Sequence, residues 1–142
     1  MLRAAGWRVR DGTDEVSPDL STYCRYIATS RGEFSVAKHA YVHSRSGWFS
    51  DRSASYLASG KPVILQDTGL SHRLPSTDGL QWFSTADEAV AALQEVMRRY
   101  PAHAQGARRL AREQFDYRVV LPALLERAMR GSFAADPAGG AA

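Results

Sequence analysis

The chain has one cysteine, Cys24, among 142 residues. A lone thiol forms no internal disulfide, so the fold relies on no covalent staple and a reducing compartment is expected. Long apolar runs are also missing; none approaches the roughly 18 residues a spanning helix needs. The opening MLRAAGWRVRDG lacks an apolar core of signal-peptide length. A cytoplasmic, soluble protein without a membrane span is the expectation. Blocks of one charge sign are absent too. Eighteen basic residues face fifteen acidic ones, for a net charge of +3. That mild basic bias suits a small anionic ligand and leaves no footprint for a nucleic-acid partner.

Several chemistries lack their motifs. There is no G-x-G-x-x-G and no G-x-S-x-G elbow. SGKP at residues 59–62 resembles the end of a phosphate loop, but Ser55 stands where its first glycine belongs and Pro62 replaces the Ser/Thr. His39 and His43 are four apart with no acid between them, half a metal site at best. Carboxylates such as Glu33 and Asp67 occur singly, so no glycosidase pair can be read from spacing. Neither a metal nor a bound cofactor is expected.

What is present is alternation of strand and helix signals. The length fits one domain, and a hydrophobic fraction of 44% excludes global disorder. WRVR at 7–10 alternates apolar and basic residues, a short strand. Ser17-Pro18-Asp19 reads as a helix start, with Leu20, Tyr23, Cys24 and Ile27 as its buried stripe. EFSVA at 33–37 reads as a strand and HAYVHSRS as loop or broken turn. Ser50 caps a helix over 51–59 that stops at Gly60. Val63-Ile64-Leu65 is an apolar triplet of the kind buried on both faces of a sheet. A polar loop over 67–79 precedes a strand from Leu80 to Phe83. Thr85 and Glu88 form a capping box. The helix behind it carries Val90, Leu93, Met97 and Tyr100. Pro101 starts the next helix, with Ala104, Ala107, Leu110, Ala111 and Phe115 on its face. A last helix, capped by Asp116 and strained by Pro122, carries Val120, Leu121, Leu124, Leu125 and Ala128. Residues 132–142 read as a loose tail behind a domain over 1–131. The fold class is α/β: a Rossmann-like, mostly parallel small sheet flanked by helices, with a helical C-terminal segment. With three or four strands it looks like part of something larger.

The informative stretch is GWFSDRSASYLASGKPVILQDTG at 47–69. In open parallel sheets ligands gather at the carboxyl ends of strands, against helix N-termini whose dipole attracts phosphate. Gly47 lets a ligand approach the backbone. Trp48 or Phe49 either stacks on a base or sugar or joins the core. Ser50 donates to phosphate or merely caps, and Arg52 pairs with phosphate. Asp51 repels phosphate and suits sugar hydroxyls. Asp67-Thr68-Gly69 follows the buried strand at its carboxyl end, where either ligand contact or a plain Asx turn explains Asp67.

This stretch resembles the C-terminal, nucleotide-sugar-binding half of GT-B-fold glycosyltransferases of the retaining branch. That region reads roughly E-G-F-G-x-x-x-x-E-A-x-A-x-G-x-P-V-[IV], followed by a D-x-G-G-type loop. Leu74-Pro75 and Gly79-Leu80 then sit at the family's next turn, and Thr85 opens the next helix. The resemblance places Phe49 on the loop phenylalanine, Gly47 on the first glutamate and Ser55 on the second. Both acids are absent, as in an atypical subgroup, so Asp51 or Glu33 would substitute. Lys38 and Arg52 would replace the family's upstream basic residues on the pyrophosphate. The resemblance thus implies a nucleoside-diphosphate sugar as donor. Its diphosphate would be held by residues 47–52 and Lys38. The sugar and nucleotide would be lined by Glu33, Ser55, Asp67, Thr68 and Gly69, with the base nearer residues 30–36. It also implies a partner, the N-terminal acceptor-binding domain, in the same or an adjacent chain; this chain alone would bind donor and transfer nothing. The competing reading is a non-catalytic Rossmann-like nucleotide- or partner-binding module.

Overall fold

The computed structural model describes Val16 and residues 19–130. The expected strand at 7–10 and the expected tail at 132–142 lie outside them. The elements run α1 (Leu20–Thr29), β1 (Glu33–Ser35), α2 (His39–His43), α3 (Asp51–Ala58), β2 (Val63–Gln66), a 3-10 turn (Leu70–His72), β3 (Leu80–Phe83), α4 (Ala86–Arg98), α5 (Tyr100–Leu110), a π turn (Ala111–Phe115) and α6 (Tyr117–Met129). The strands form one parallel sheet in the order β1-β2-β3. Phe34 lies beside Ile64 and Leu65 beside Trp82.

β2 sits in the middle, and alternation along it feeds two cores. Val63 and Leu65 join Ile27, Tyr56, Leu57, Leu80 and Leu110 on the side of α1, α3 and α5. Ile64 joins Phe83, Ala89, Leu93 and Val96 on the side of α4. The apolar triplet is therefore buried on both faces, and the Rossmann-like α/β class stands.

Several local expectations shift. α1 is capped by Asp19, whose Oδ1 accepts from the Thr22 backbone N–H at 2.9 Å; Ser17 and Pro18, the expected helix start, lie outside the described residues. Of its expected stripe only Ile27 is buried; Leu20 and Cys24 are exposed. β1 is two residues shorter than EFSVA, and HAYVH forms the short helix α2. The capping box at Thr85 and Glu88 is complete. Behind it Ala89, Ala92, Leu93 and Val96 are buried while Met97 is exposed, because the stripe is set by what lies beneath it. α6 forms with Pro122 inside it, but its expected apolar face is exposed.

α5 approaches β3 closely because two glycines face each other there. A Cβ on Gly106 would stand 2.0 Å from the Asp78 carbonyl oxygen, and one on Gly79 would stand 2.3 Å from the Ala107 nitrogen. His103, fully buried beside them, accepts the Gly79 N–H on Nδ1 at 3.0 Å. Its proton therefore sits on Nε2, which has no hydrogen-bond partner among the described residues and lies 3.9 Å from Asp78. Burial lowers the His103 pKa; Asp78 and Glu95 oppose this and Arg99 adds to it.

Two outcomes follow for stability. Gly106→Ala should lower the unfolding free energy by about 1–3 kcal/mol or more, since backbone must move to admit the methyl; urea denaturation measures it. Because the folded chain disfavours protonated His103, stability is intact above about pH 6.5 and declines as pH falls toward the lowered folded pKa. Urea midpoints between about pH 7.5 and pH 5 should show the decline, and His103→Gln should flatten it.

Candidate functional site

The carboxyl ends of β1 and β2 open onto a crevice of about 310 Å³, bounded by the start of α2, the loop before α3 and the first turn of α3. This is the position where parallel sheets seat ligands. The loop is held there by the segment that follows β2. The Gly47 N–H donates to the Thr68 carbonyl at 2.9 Å, and the Thr68 hydroxyl donates to the Trp48 carbonyl at 2.9 Å. Gly47 takes φ +69°, and Arg45 stands in the left-handed region at φ +48°. Gly69, at φ +92°, packs so close to Arg45 that a Cβ would meet its backbone at 3.0 Å.

Of the residues singled out in the sequence, Lys38, Trp48, Phe49, Ser50, Arg52 and Thr68 line this crevice. Trp48 is 51% exposed and stacks on Tyr41 with centroids 5.1 Å apart. The Lys38 ammonium lies 6.0 Å from the Tyr41 ring centroid. Phe49 is half-buried, stacked on Phe115 at 4.8 Å and edge-on to Trp82; it is core on one side and crevice wall on the other.

Ser50 is the N-cap of α3. Its hydroxyl accepts the Arg52 N–H at 3.2 Å, and Asp51 Oδ1 accepts the same N–H at 2.8 Å. Two side chains thus occupy one of the helix's leading donors. The remaining attraction for an anion comes from the dipole and from side-chain cations.

Arg52 owes its position to a buried acid. Its Nε donates to Glu33 Oε1 at 2.7 Å and its Nη2 to the Ser35 hydroxyl at 2.9 Å. Burial alone would lower the Arg52 pKa, but the Glu33 hydrogen bond and charge outweigh that, and it rises. The Glu33 side chain is 5% exposed while that of Arg52 is 47% exposed. The guanidinium is therefore anchored at the sheet and open at the crevice. The second Glu33 oxygen, Oε2, is buried without a hydrogen-bond partner among the described residues.

The other sequence candidates fall elsewhere. Glu33 anchors Arg52 from below and does not line the crevice. Ser55 lies on the outer side of α3, its hydroxyl donating to the Asp51 carbonyl at 3.1 Å, and lines a different depression. Asp67 turns onto its own loop, accepting from the Gly69 and Ser71 N–H groups and from the Ser71 hydroxyl at 2.9, 3.2 and 2.7 Å. Burial would raise its pKa, but these bonds and Arg45 bring it below the ordinary value. The Asx-turn reading of Asp67 therefore describes its geometry, and Asp67 with Gly69 shapes the loop behind the crevice.

Ser35, within the stretch 30–36 expected near the base, also lines the crevice, as do Tyr41, Gln66 and Trp82, which sequence reasoning missed. Gln66 Oε1 accepts the Ala37 N–H at 3.1 Å, joining the ends of β1 and β2. The polar residue at the end of the apolar triplet was the available signal. The rings of His39 and His43 stack at 5.7 Å. Among the described residues no group of three or more metal-binding side chains exists, and no helix is long and apolar enough to cross a membrane.

Comparison with known protein families, curated proteins and solved structures found no match to this chain. The geometry therefore carries the functional argument.

Arg52→Ala should destabilise the fold by about 1–3 kcal/mol, because it orphans the buried Glu33 carboxylate. Glu33→Gln added to Arg52→Ala should recover part of that loss, since a neutral amide is cheaper to bury than an unpaired charge. Denaturant titration of the two variants beside the parent chain tests the coupling.

Proposed function

We propose that this chain is the donor-binding domain of a glycosyltransferase, holding a nucleoside-diphosphate sugar for transfer with the help of an acceptor-binding domain outside it. The observation that carries the reading is the anchored Arg52. A guanidinium fixed by a buried acid faces a crevice at the carboxyl ends of parallel strands, with Lys38 in the same wall. Two cations at the mouth of α3 suit a diphosphate, whose oxygens accept charge-assisted hydrogen bonds. The exposed Trp48 face, backed by Tyr41, offers a stacking surface for a ring. As the glycosidic bond breaks, negative charge builds on the leaving diphosphate. Donors held in place beforehand stabilise it without reorganising at that moment.

A second reading has its own support. Among the described residues, the side chains lining the crevice include no carboxylate. The crevice thus supplies cations, hydroxyls and aromatic faces but no carboxylate to act as a general base. That composition suits a nucleotide- or partner-binding module as well as one half of a two-domain site. A nucleotide-sugar turnover assay on the chain joined to its acceptor-binding half separates the two; transfer supports the enzyme.

Calorimetry tests the shared premise. Nucleoside diphosphates should bind, and Lys38→Ala should weaken them by about 1.5–3 kcal/mol, the range for a charge-assisted hydrogen bond. Lys38 is exposed and caps no hydrogen bond in α2, so its loss should leave the melting temperature unchanged. Heat traces that stay flat at millimolar ligand would reject the nucleotide site.

A further inference from the structure

Gln66 ends β2 with its side chain on the α4 side of the sheet, in register with Phe83. Arg52 reaches the crevice from the α3 side, through Glu33 and Ser35. Both line the same crevice, so a ligand that touches both lies across the ends of the strands. The Gln66 amide has one permitted orientation. Its Oε1 accepts the Ala37 backbone N–H at 3.1 Å, and an N–H can be met only by an acceptor, so the amide oxygen must face Ala37. Nε2 is left as a donor. It has no partner among the described residues and is not sealed in the interior.

The rest of the wall has the same polarity. The Lys38 ammonium and the remaining N–H groups of Arg52 can only donate. The Thr68 hydroxyl and the Trp48 carbonyl satisfy each other, and the Trp82 indole N–H is taken by the Leu74 carbonyl at 2.6 Å. Among the described residues no carboxylate lines the crevice. Its open charged and amide groups therefore call for acceptors at both ends: anionic oxygens at Arg52 and Lys38, and a neutral acceptor at Gln66. A ligand that brings an N–H to Nε2 sets two donors against each other, and each loses its water without gaining a partner.

We propose that Gln66 selects the nucleobase: the crevice takes nucleoside diphosphates whose base carries a ring carbonyl at the edge remote from the ribose, as uracil and hypoxanthine do. It rejects those with an amino group there, cytosine and adenine. The inference rests on the nucleotide reading above and adds which bases that site accepts. With the diphosphate at Arg52, the group that reaches across the strand ends to Gln66 is the far edge of the base. The carbonyl that both pyrimidines share lies beside the ribose and does not separate them. A flat base suits this crevice because Trp48 and Trp82 line it with aromatic rings. A sugar hydroxyl both donates and accepts, so a fixed donor would tell no two sugars apart by this means.

Calorimetry on the whole chain with two matched pairs is the test: uridine against cytidine diphosphate, and inosine against adenosine diphosphate. The members of each pair differ only at that far edge. The carbonyl member of each should bind more than about tenfold tighter, since the amino member leaves donors unmet. Gln66→Glu keeps an acceptor for the Ala37 N–H and turns the free end from donor to acceptor. Its charge should weaken every nucleotide, yet the order within each pair should reverse. A change in fold stability or general repulsion acts equally on both members, so a merely structural role for Gln66 would leave the ratio unmoved. Equal affinity within both pairs would overturn the proposal and leave the nucleotide site standing. So would a parent order that survives Gln66→Glu. Flat heat traces for all four ligands would overturn the proposal together with the nucleotide site.

Discussion

β2 is the constraint on which the arrangement rests. Its residues alternate between two cores, so helices must cover both faces of a sheet only three strands wide. Four residues suffice because every one of Val63, Ile64 and Leu65 is removed from water, and each buried aliphatic side chain is worth about 1.5–3 kcal/mol. With β2 central and both neighbours parallel, the carboxyl ends of the strands share one edge of the molecule. The loops behind β1 and β2 are forced together there, and the crevice is the space they leave.

Within that space, charge is placed by burial. Glu33 is nearly sealed and would be costly alone; Arg52 neutralises it while keeping a solvent-facing side. The pair ties β1 to the first turn of α3 and holds a cation at a helix N-terminus, where a cation is otherwise disfavoured. The Thr68 clamp on Gly47 and Trp48 performs the equivalent task for the aromatic wall. Glu33 acts from below the crevice and Thr68 from within its lining, each by fixing the side chains or loop that form it.

Legibility followed locality. The Thr85–Glu88 capping box, the Asp116 cap, the stop at Gly60 and the buried triplet depend on residues within a turn of one another, and each was readable. The faces of α1, α4 and α6 were not. Leu20 and Leu124 have the right spacing for burial, yet spacing cannot say whether another element lies opposite. α2 escaped notice because five residues give too little periodicity to separate a helix from a turn. Asp67 was grouped with the ligand candidates for its place at a strand end, and Ser55 and Glu33 through the resemblance to glycosyltransferases. The fold sends their side chains to a local turn, an outer helix surface and a buried ion pair.

From the order of residues alone came the α/β class, the strand–helix alternation and the stretch that carries the candidate site, because propensity, caps and apolar runs are local properties. Tertiary structure decided which side chains share the crevice, which acid anchors Arg52 and which apolar helix is left bare. Those outcomes depend on contacts between residues far apart in the chain, such as Glu33 with Arg52 and Thr68 with Trp48, and no spacing rule along one segment encodes them.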